Sequence, residues 1–251
     1  MKIGVLSDIH GNHLALNSVL QEAAESGVQR LLVLGDVVGY YYHPDKVMAL
    51  LNDWPMDVIQ GNHEGMLRTL MEDGQDAEII RKKYGHGLDY ALNQLSTNKA
   101  RDLIDMPARK TCVFDNNKIE LCHGSPWDRD AYVYPDAPPD RINRCFVEGA
   151  DFVFMGHTHY QFAFTKNGAT IANPGSVGQN RAAGGIASWG ILDTVQKRFS
   201  LRATPYDVAP LITEAQKTDP GLPYLSQVLE RKTDKTQKKP TTVPSEERTA
   251  R

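Results

Sequence analysis

Five short clusters in the chain carry the residue types that do chemistry. Asp8 and His10 stand in Ser7-Asp8-Ile9-His10-Gly11-Asn12, Asp36 in Gly35-Asp36-Val37-Val38-Gly39, and Asn62, His63 and Glu64 in Gly61-Asn62-His63-Glu64. His123 follows in Cys122-His123-Gly124-Ser125, and His157 and His159 in Gly156-His157-Thr158-His159. The donors are carboxylates, imidazoles and one amide, without a thiolate. Such oxygen and nitrogen donors suit Mn, Fe or Zn in catalytic use rather than a structural zinc. They are too many for one tetrahedral ion. They suit two ions sharing a bridging carboxylate about 3.5–4 Å apart, a pair that clamps a phosphoryl group and lowers the pKa of a bridging water. Asp8 and His10 lie two apart, as do His157 and His159, so on extended segments each pair points to one side. A glycine adjoins every cluster, where the backbone must turn sharply close to the bound group.

Residues so far apart must be gathered by a fold. Short apolar runs predict strands over 2–7, 31–34, 56–60, 111–114, 118–122, 151–155, 161–165, 169–172, 186–193 and 198–202. Between the first three, helical spacing of Leu16, Val19, Leu20 and Ala23 predicts a helix over 12–26 with Asn12 as its cap. A second helix over 44–52 opens on Pro44. Strand–helix alternation implies right-handed βαβ units and a mostly parallel sheet. Further helices are expected over 64–70, 75–95 and 102–106, and at the end over 209–217 and 222–231. A Pro-rich insertion occupies 126–139. Each of the five clusters ends a predicted strand, and ligands of open α/β sheets bind beyond the carboxyl ends of strands.

The composition is compatible with one globular body. The chain has 251 residues, 24% of them charged, and a net charge of −3. That balance gives no sign of a nucleic-acid or membrane-surface binder. Residues 230–251 hold 7 basic and 4 acidic residues, with Val243 and Ala250 as the apolar ones, and are expected to be a disordered basic tail. Residues 1–229 are expected to form a single domain, with a net charge of −6. The odd count of 3 cysteines argues against a secreted disulfide scaffold. No signal-peptide pattern and no apolar run of about 20 residues is present, so a cytoplasmic protein is expected.

Taken in order, Asp8-x-His10, Gly35-Asp36-x-x-Gly39, Gly61-Asn62-His63-Glu64, His123-Gly124 and Gly156-His157-Thr158-His159 resemble the calcineurin-like metallophosphoesterase superfamily. The likeness spans residues 1–202. Ser7–Asn12, the His-Gly-Ser-Pro at 123–126 and the Asn-Pro-Gly-Ser-Val-Gly-Gln-Asn-Arg at 173–181 look like its small bacterial and archaeal phosphoesterase branch. The resemblance implies a four-layer α/β/β/α sandwich of two mixed sheets, the metallo-dependent phosphatase-like α/β architecture. It implies that Asp8, His10, Asp36 and His159 hold one metal and that Asp36, Asn62, His123 and His157 hold the other, with Asp36 bridging. His63 then faces the substrate and protonates the leaving oxygen or stabilises phosphoryl charge, which an imidazole near pKa 6.5 can do. Glu64 supports the site from behind. The Asp-Arg-Gly of the protein serine/threonine phosphatase branch is replaced by Gly39-Tyr40-Tyr41-Tyr42-His43-Pro44, which lacks the phosphate-holding arginine.

The expected function is therefore that of a dinuclear metal-dependent phosphoesterase. It hydrolyses phosphodiester or phosphomonoester bonds by a metal-bridging hydroxide, with Asp36 and His63 as the catalytic pair. Two divalent ions are the cofactors, manganese first, with Fe, Zn, Ni or Mg accepting the same ligands. The expected partner is a small phosphoester, with neither membrane nor long nucleic acid, and no residue sets an oligomeric state. Tyr40, His43 and Arg181 are the candidate substrate contacts. A metal-holding scaffold without activity and a protein serine/threonine phosphatase are the alternatives.

Overall fold

The computed structural model describes residues 1–72, 74 and 76–232. The expectation of a disordered tail falls, from residue 233 onward, outside them. Arg231 still belongs to the body, because its guanidinium donates to the Arg181 carbonyl and its own carbonyl accepts from Gly184 N–H.

Among the described residues, ten strands form two five-stranded mixed sheets. The first contains β1 (Lys2–Leu6), β2 (Arg30–Val33), β3 (Met56–Val58), β9 (Ile186–Asp193) and β10 (Arg198–Pro205), in the order β10-β9-β1-β2-β3. β1, β2 and β3 run parallel, while β9 runs antiparallel to β1. The second contains β4 (Arg109–Phe114), β5 (Asn117–Cys122), β6 (Phe152–Phe154), β7 (Gln161–Lys166) and β8 (Ala169–Pro174), in the order β4-β5-β6-β8-β7. Here β5, β6 and β8 are parallel.

The apolar runs are continuous because both faces of the central strands are covered. Side chains alternate between faces along a strand. Thus Leu32, Leu34, Ile3 and Val5 meet Ile119, Leu121, Phe152 and Phe154 between the sheets. Leu31 and Val33 point the other way, onto α1 (His13–Glu25), α2 (Pro44–Asn52) and α3 (Asn62–Glu72). On the far side of the second sheet, Val153, Met155 and Phe162 are covered by Ile142 of α7 (Pro139–Arg144) and by Cys145 and Val133. This is the expected α/β/β/α layering. Cys112, Cys122 and Cys145 are unpaired and buried.

Asn12 caps α1 as expected, its Oδ1 accepting from Ala15 N–H at 3.1 Å. The helix expected over 75–95 is instead two, α4 (Ala77–Tyr84) and α5 (Gly87–Gln94). The break is at Gly85, whose φ of +77° leaves the helical region. There His86 Nδ1 bonds Asp219 Oδ1 at 2.6 Å, which ties the break to the C-terminal end of α8 (Ala209–Thr218). Asp102–Met106 is likewise corrected to α6 (Thr97–Ile104), started by Ser96 Oγ accepting from Lys99 N–H. The last helix is short, α9 (Tyr224–Gln227), and continues as a 3₁₀ turn over Val228–Glu230. Among the described residues no helix is long and apolar enough to cross a membrane.

Candidate metal centre

The parallel strands β1, β2 and β3 of one sheet and β5 and β6 of the other end at a common edge. The loops that follow, and the first turn of α3, bring Asp8, His10, Asp36, His63, His123, His157 and His159 together, all 6% exposed or less. Three donor sets have atoms within 4.8 Å of one another: Asp8, His10 and His159; His10, Asp36 and His63; and Asp36, His123 and His157.

The two carboxylates are each divided between backbone and site. Asp8 Oδ2 accepts from His157 N–H at 3.0 Å, and Asp8 Oδ1 has no hydrogen-bond partner among the described residues. Asp36 Oδ1 accepts from His63 N–H at 2.8 Å. Asp36 Oδ2 faces His123 Nε2 at 3.4 Å, His10 Nε2 at 3.8 Å and His63 Nε2 at 4.0 Å. One oxygen of Asp36 thus borders both outer donor sets.

The imidazoles are oriented by backbone carbonyls. His10 Nδ1 meets Val38 O at 3.2 Å, His123 Nδ1 meets Leu34 O at 2.7 Å, and His159 Nδ1 meets Gln179 O at 2.7 Å. A carbonyl accepts only, so Nδ1 carries a proton in each ring and Nε2 is the atom turned inward. His10 Nε2 and His159 Nε2 then face each other at 3.1 Å. Two lone pairs and a carboxylate at such range repel unless a cation lies among them. Asn62 Oδ1 joins the second set, 3.0 Å from His123 Nε2. Together with the orphaned Asp8 Oδ1 and His157 Nε2, this donor set fits divalent metal.

Burial and the mutual charges set the titrations. Burial works against the charged His123, yet Asp36 and Asp8 push it up to about 10. Burial would raise the Asp36 carboxyl, but His123, His63 and His10 hold it well below the usual range. Burial, reinforced by the His123 charge, brings His157 down to about 4.

Glu64 is the brace behind the centre. It accepts from the N–H groups of Asp36 (2.8 Å), Val37 (2.8 Å) and Gly61 (2.7 Å). Its bond to Gly61, three residues back, is the carboxylate half of a capping box at the start of α3. Burial and the nearby Asp36 carboxylate push Glu64 up to about 7. The segment 173–181 braces the opposite side. Asn173 Nδ2 donates to Gly156 O at 2.6 Å, and Ser176 Oγ donates to Asp8 O at 2.7 Å.

The expectation of extended segments at 8–10 and 157–159 is corrected. Asp8, His10, Asp36, Tyr40, His157 and His159 all have φ between +50° and +66°, the left-handed region that non-glycine residues seldom adopt. The pairs converge through these turns, not through strand alternation. Such backbone is kept only where the surroundings over-determine it, and it clusters at functional sites.

His63 is nearly fully buried, with its ring against those of His10 (4.7 Å), Tyr40 (4.8 Å) and Tyr84 (5.1 Å). Its Nδ1 has no partner among the described residues and rests on Gly39. Tyr40 packs edge-on to His10 at 4.6 Å and closes that side. The half-buried Arg181 leaves its Nε without a partner among the described residues. His43 lies apart from the donors: its Nε2 is 2.8 Å from Glu214 Oε2 and its ring packs on His13. Two residues the sequence reading passed over stand beside the centre. Tyr132 covers the His157 ring at 4.2 Å, and Tyr134 stacks on Tyr132 at 5.9 Å. The only sequence trace of them is the alternation Tyr132-Val133-Tyr134 inside the Pro-rich insertion.

Comparison with known proteins agrees with this geometry. The calcineurin-like phosphoesterase superfamily domain matches residues 1–197. An uncharacterized protein of Methanocaldococcus jannaschii is 28% identical over 228 residues, 82% of this chain and 88% of that one. Phosphodiesterase YfcE of Escherichia coli K12 is 26% identical over 201 residues, 77% of this chain and 88% of its own. Among solved structures, a metallophosphoesterase from Sphaerobacter thermophilus superposes with a TM-score of 0.73 at 25% identity, covering 91% of this chain and 98% of that one. A hypothetical protein from Pyrococcus horikoshii shares the fold at a TM-score of 0.78 and 21% identity, covering 91% and 97%.

Proposed function

The chain belongs to the calcineurin-like phosphoesterase superfamily and is a metal-dependent phosphoesterase; from that premise we propose a dinuclear centre, filled by manganese, that hydrolyses small phosphodiesters in the cytoplasm. The observation that carries the dinuclear reading is Asp36 Oδ2, within 4.0 Å of imidazole nitrogens from both outer donor sets. Asp8, His10 and His159 with Asp36 would hold one ion, and Asn62, His123 and His157 with Asp36 the other. When bound, the ions would neutralise phosphoryl charge and lower the pKa of a bound water.

The chain's own residues do the rest. His63 presents Nε2 to the same space as the ligands, and its ring is held by Gly39, Tyr40 and Tyr84. From there it gives a proton to the leaving oxygen. Glu64 fixes the loop of Asp36 against the start of α3, so ligand and proton donor keep their spacing. Tyr40 keeps bulk water from the His10 side. Arg181 supplies a cation at the rim for the remaining phosphoryl charge. The three unpaired, buried cysteines support a reducing compartment. The net charge of −6 over residues 1–229 favours small substrates over long nucleic acid, which rewards dense Lys/Arg contacts.

The test is reconstitution with manganese, followed by bis-p-nitrophenyl phosphate and p-nitrophenyl phosphate as substrates. Release of nitrophenolate, faster from the diester, is expected. A metal-loaded protein that turns over no phosphoester would leave only the scaffold reading.

A further inference from the structure

The wall beside the centre is aromatic, exposed and held in place. In Ala131-Tyr132-Val133-Tyr134 the side chains alternate: Ala131 and Val133 are buried, while Tyr132 and Tyr134 are 45% and 38% exposed. Val133 is anchored in the cluster with Met155 and Phe162 behind the second sheet. The chain just before it runs so close to Gly124 that a Cβ there would lie 2.3 Å from Arg129 O and 2.7 Å from Ala131 O. Gly124 directly follows His123, so the tyrosine segment is pinned against a metal-ligand loop.

Exposed tyrosines forfeit the burial that usually stabilises aromatic rings. Here the two are parallel to within 14°, and Tyr132 lies 4.2 Å, centroid to centroid, from His157. Tyr134 continues the wall to Tyr160 at 6.0 Å. A phosphoryl group at the centre would therefore have an aromatic surface one imidazole away. Resting on the phosphoesterase reading above, we propose that Tyr132 and Tyr134 form a stacking subsite for a planar aromatic group carried by the phosphoester, above all the base of a nucleoside. Stacking uses the π-face that every base has, so the subsite selects nucleoside esters without choosing among bases.

The test compares substrates that differ by the base alone. On the manganese-loaded full chain, kcat/KM is measured for the methyl esters of adenosine 5′-phosphate and ribose 5-phosphate. Wild type is expected to favour the adenosine ester roughly 10–100-fold, mostly through KM. Tyr132→Ala is expected to cut that preference about tenfold or more, and Tyr132→Phe to keep it. The ratio is the readout because any disturbance of His157 slows both esters alike. Equal rates in wild type, or a preference untouched by Tyr132→Ala, would overturn the subsite. Calorimetric binding of adenosine 5′-phosphate against ribose 5-phosphate reads the same preference without turnover. A protein that binds the base through Tyr132 but hydrolyses nothing keeps the subsite and sinks the phosphoesterase reading.

Discussion

At the scale of single residues, the centre separates two kinds of histidine. His10, His123 and His159 each give Nδ1–H to a backbone carbonyl and turn Nε2 inward. Among the described residues His63 has no such carbonyl, and its Nδ1 is without a partner. Burial lowers the His63 pKa and the Asp36 carboxylate opposes this, so proton donation by His63 depends on that carboxylate. Asp36→Asn is therefore expected to lose metal and activity together, because it replaces the oxygen that faces both donor sets with a neutral amide. His63→Ala is expected to keep its metal while kcat falls about 10²–10⁴-fold, the usual worth of a positioned proton donor. Metal content by mass spectrometry beside kcat decides this, and loss of metal in His63→Ala would make His63 a ligand.

At the scale of elements, loops rather than strands set the geometry. Gly39 follows the Asp36 turn with a φ of +94°, and a Cβ there would lie 2.0 Å from His63 Nδ1. Gly39→Ala is thus expected to push the His63 ring aside and to mimic His63→Ala, with a rate loss of about 10²-fold or more and unchanged metal content. A rate within threefold of wild type would show that the ring has room to move. The elements themselves were largely readable. The strand runs and α1 follow from apolar spacing, and Pro44 opens α2 as its fixed φ allows. The single helix expected over 75–95 was wrong because apolar periodicity runs on through Gly85. Only the tie between His86 and Asp219, 133 residues away in sequence, makes the break worthwhile.

At the scale of the whole molecule, the two sheets must stay in register for the donors to meet. Apolar packing between the sheets does most of this, and Asp57 adds a polar fastening. From β3 it accepts from Arg30 Nε of β2 at 2.8 Å and pairs with Lys110 Nζ of β4, in the other sheet, at 2.7 Å. Burial raises the Asp57 carboxyl, but the bonds to Arg30 and Lys110 outweigh it and lower its pKa. A carboxyl lowered on folding adds stability above its unfolded value near 3.9, and that stability is lost as pH falls through the folded value. Asp57→Asn is expected to cost about 1–2 kcal/mol at pH 7. The gap to wild type should close in acid, once pH has fallen through the lowered pKa of the folded Asp57. Urea unfolding at the two pH values measures it, and a gap that persists in acid would assign the cost to packing instead.

The sequence by itself determined the inventory of the centre and most of the elements, while the order of the layers was implied only by the resemblance of its motifs. Donor types are covalent facts, and periods of 2 and 3.6 follow from backbone geometry alone. It could not show how the pairs at 8–10 and 157–159 converge, since their left-handed turns are held by bonds from distant segments, such as Ser176 to Asp8 and His159 to Gln179. Nor could it show that His43 turns its Nε2 to Glu214 of α8 rather than to the donors. Tyr132 and Tyr134 gained meaning only when the β5 and β6 loops were brought side by side. Which residues can do the chemistry is local to the chain; which of them face the same space is a property of the closed fold.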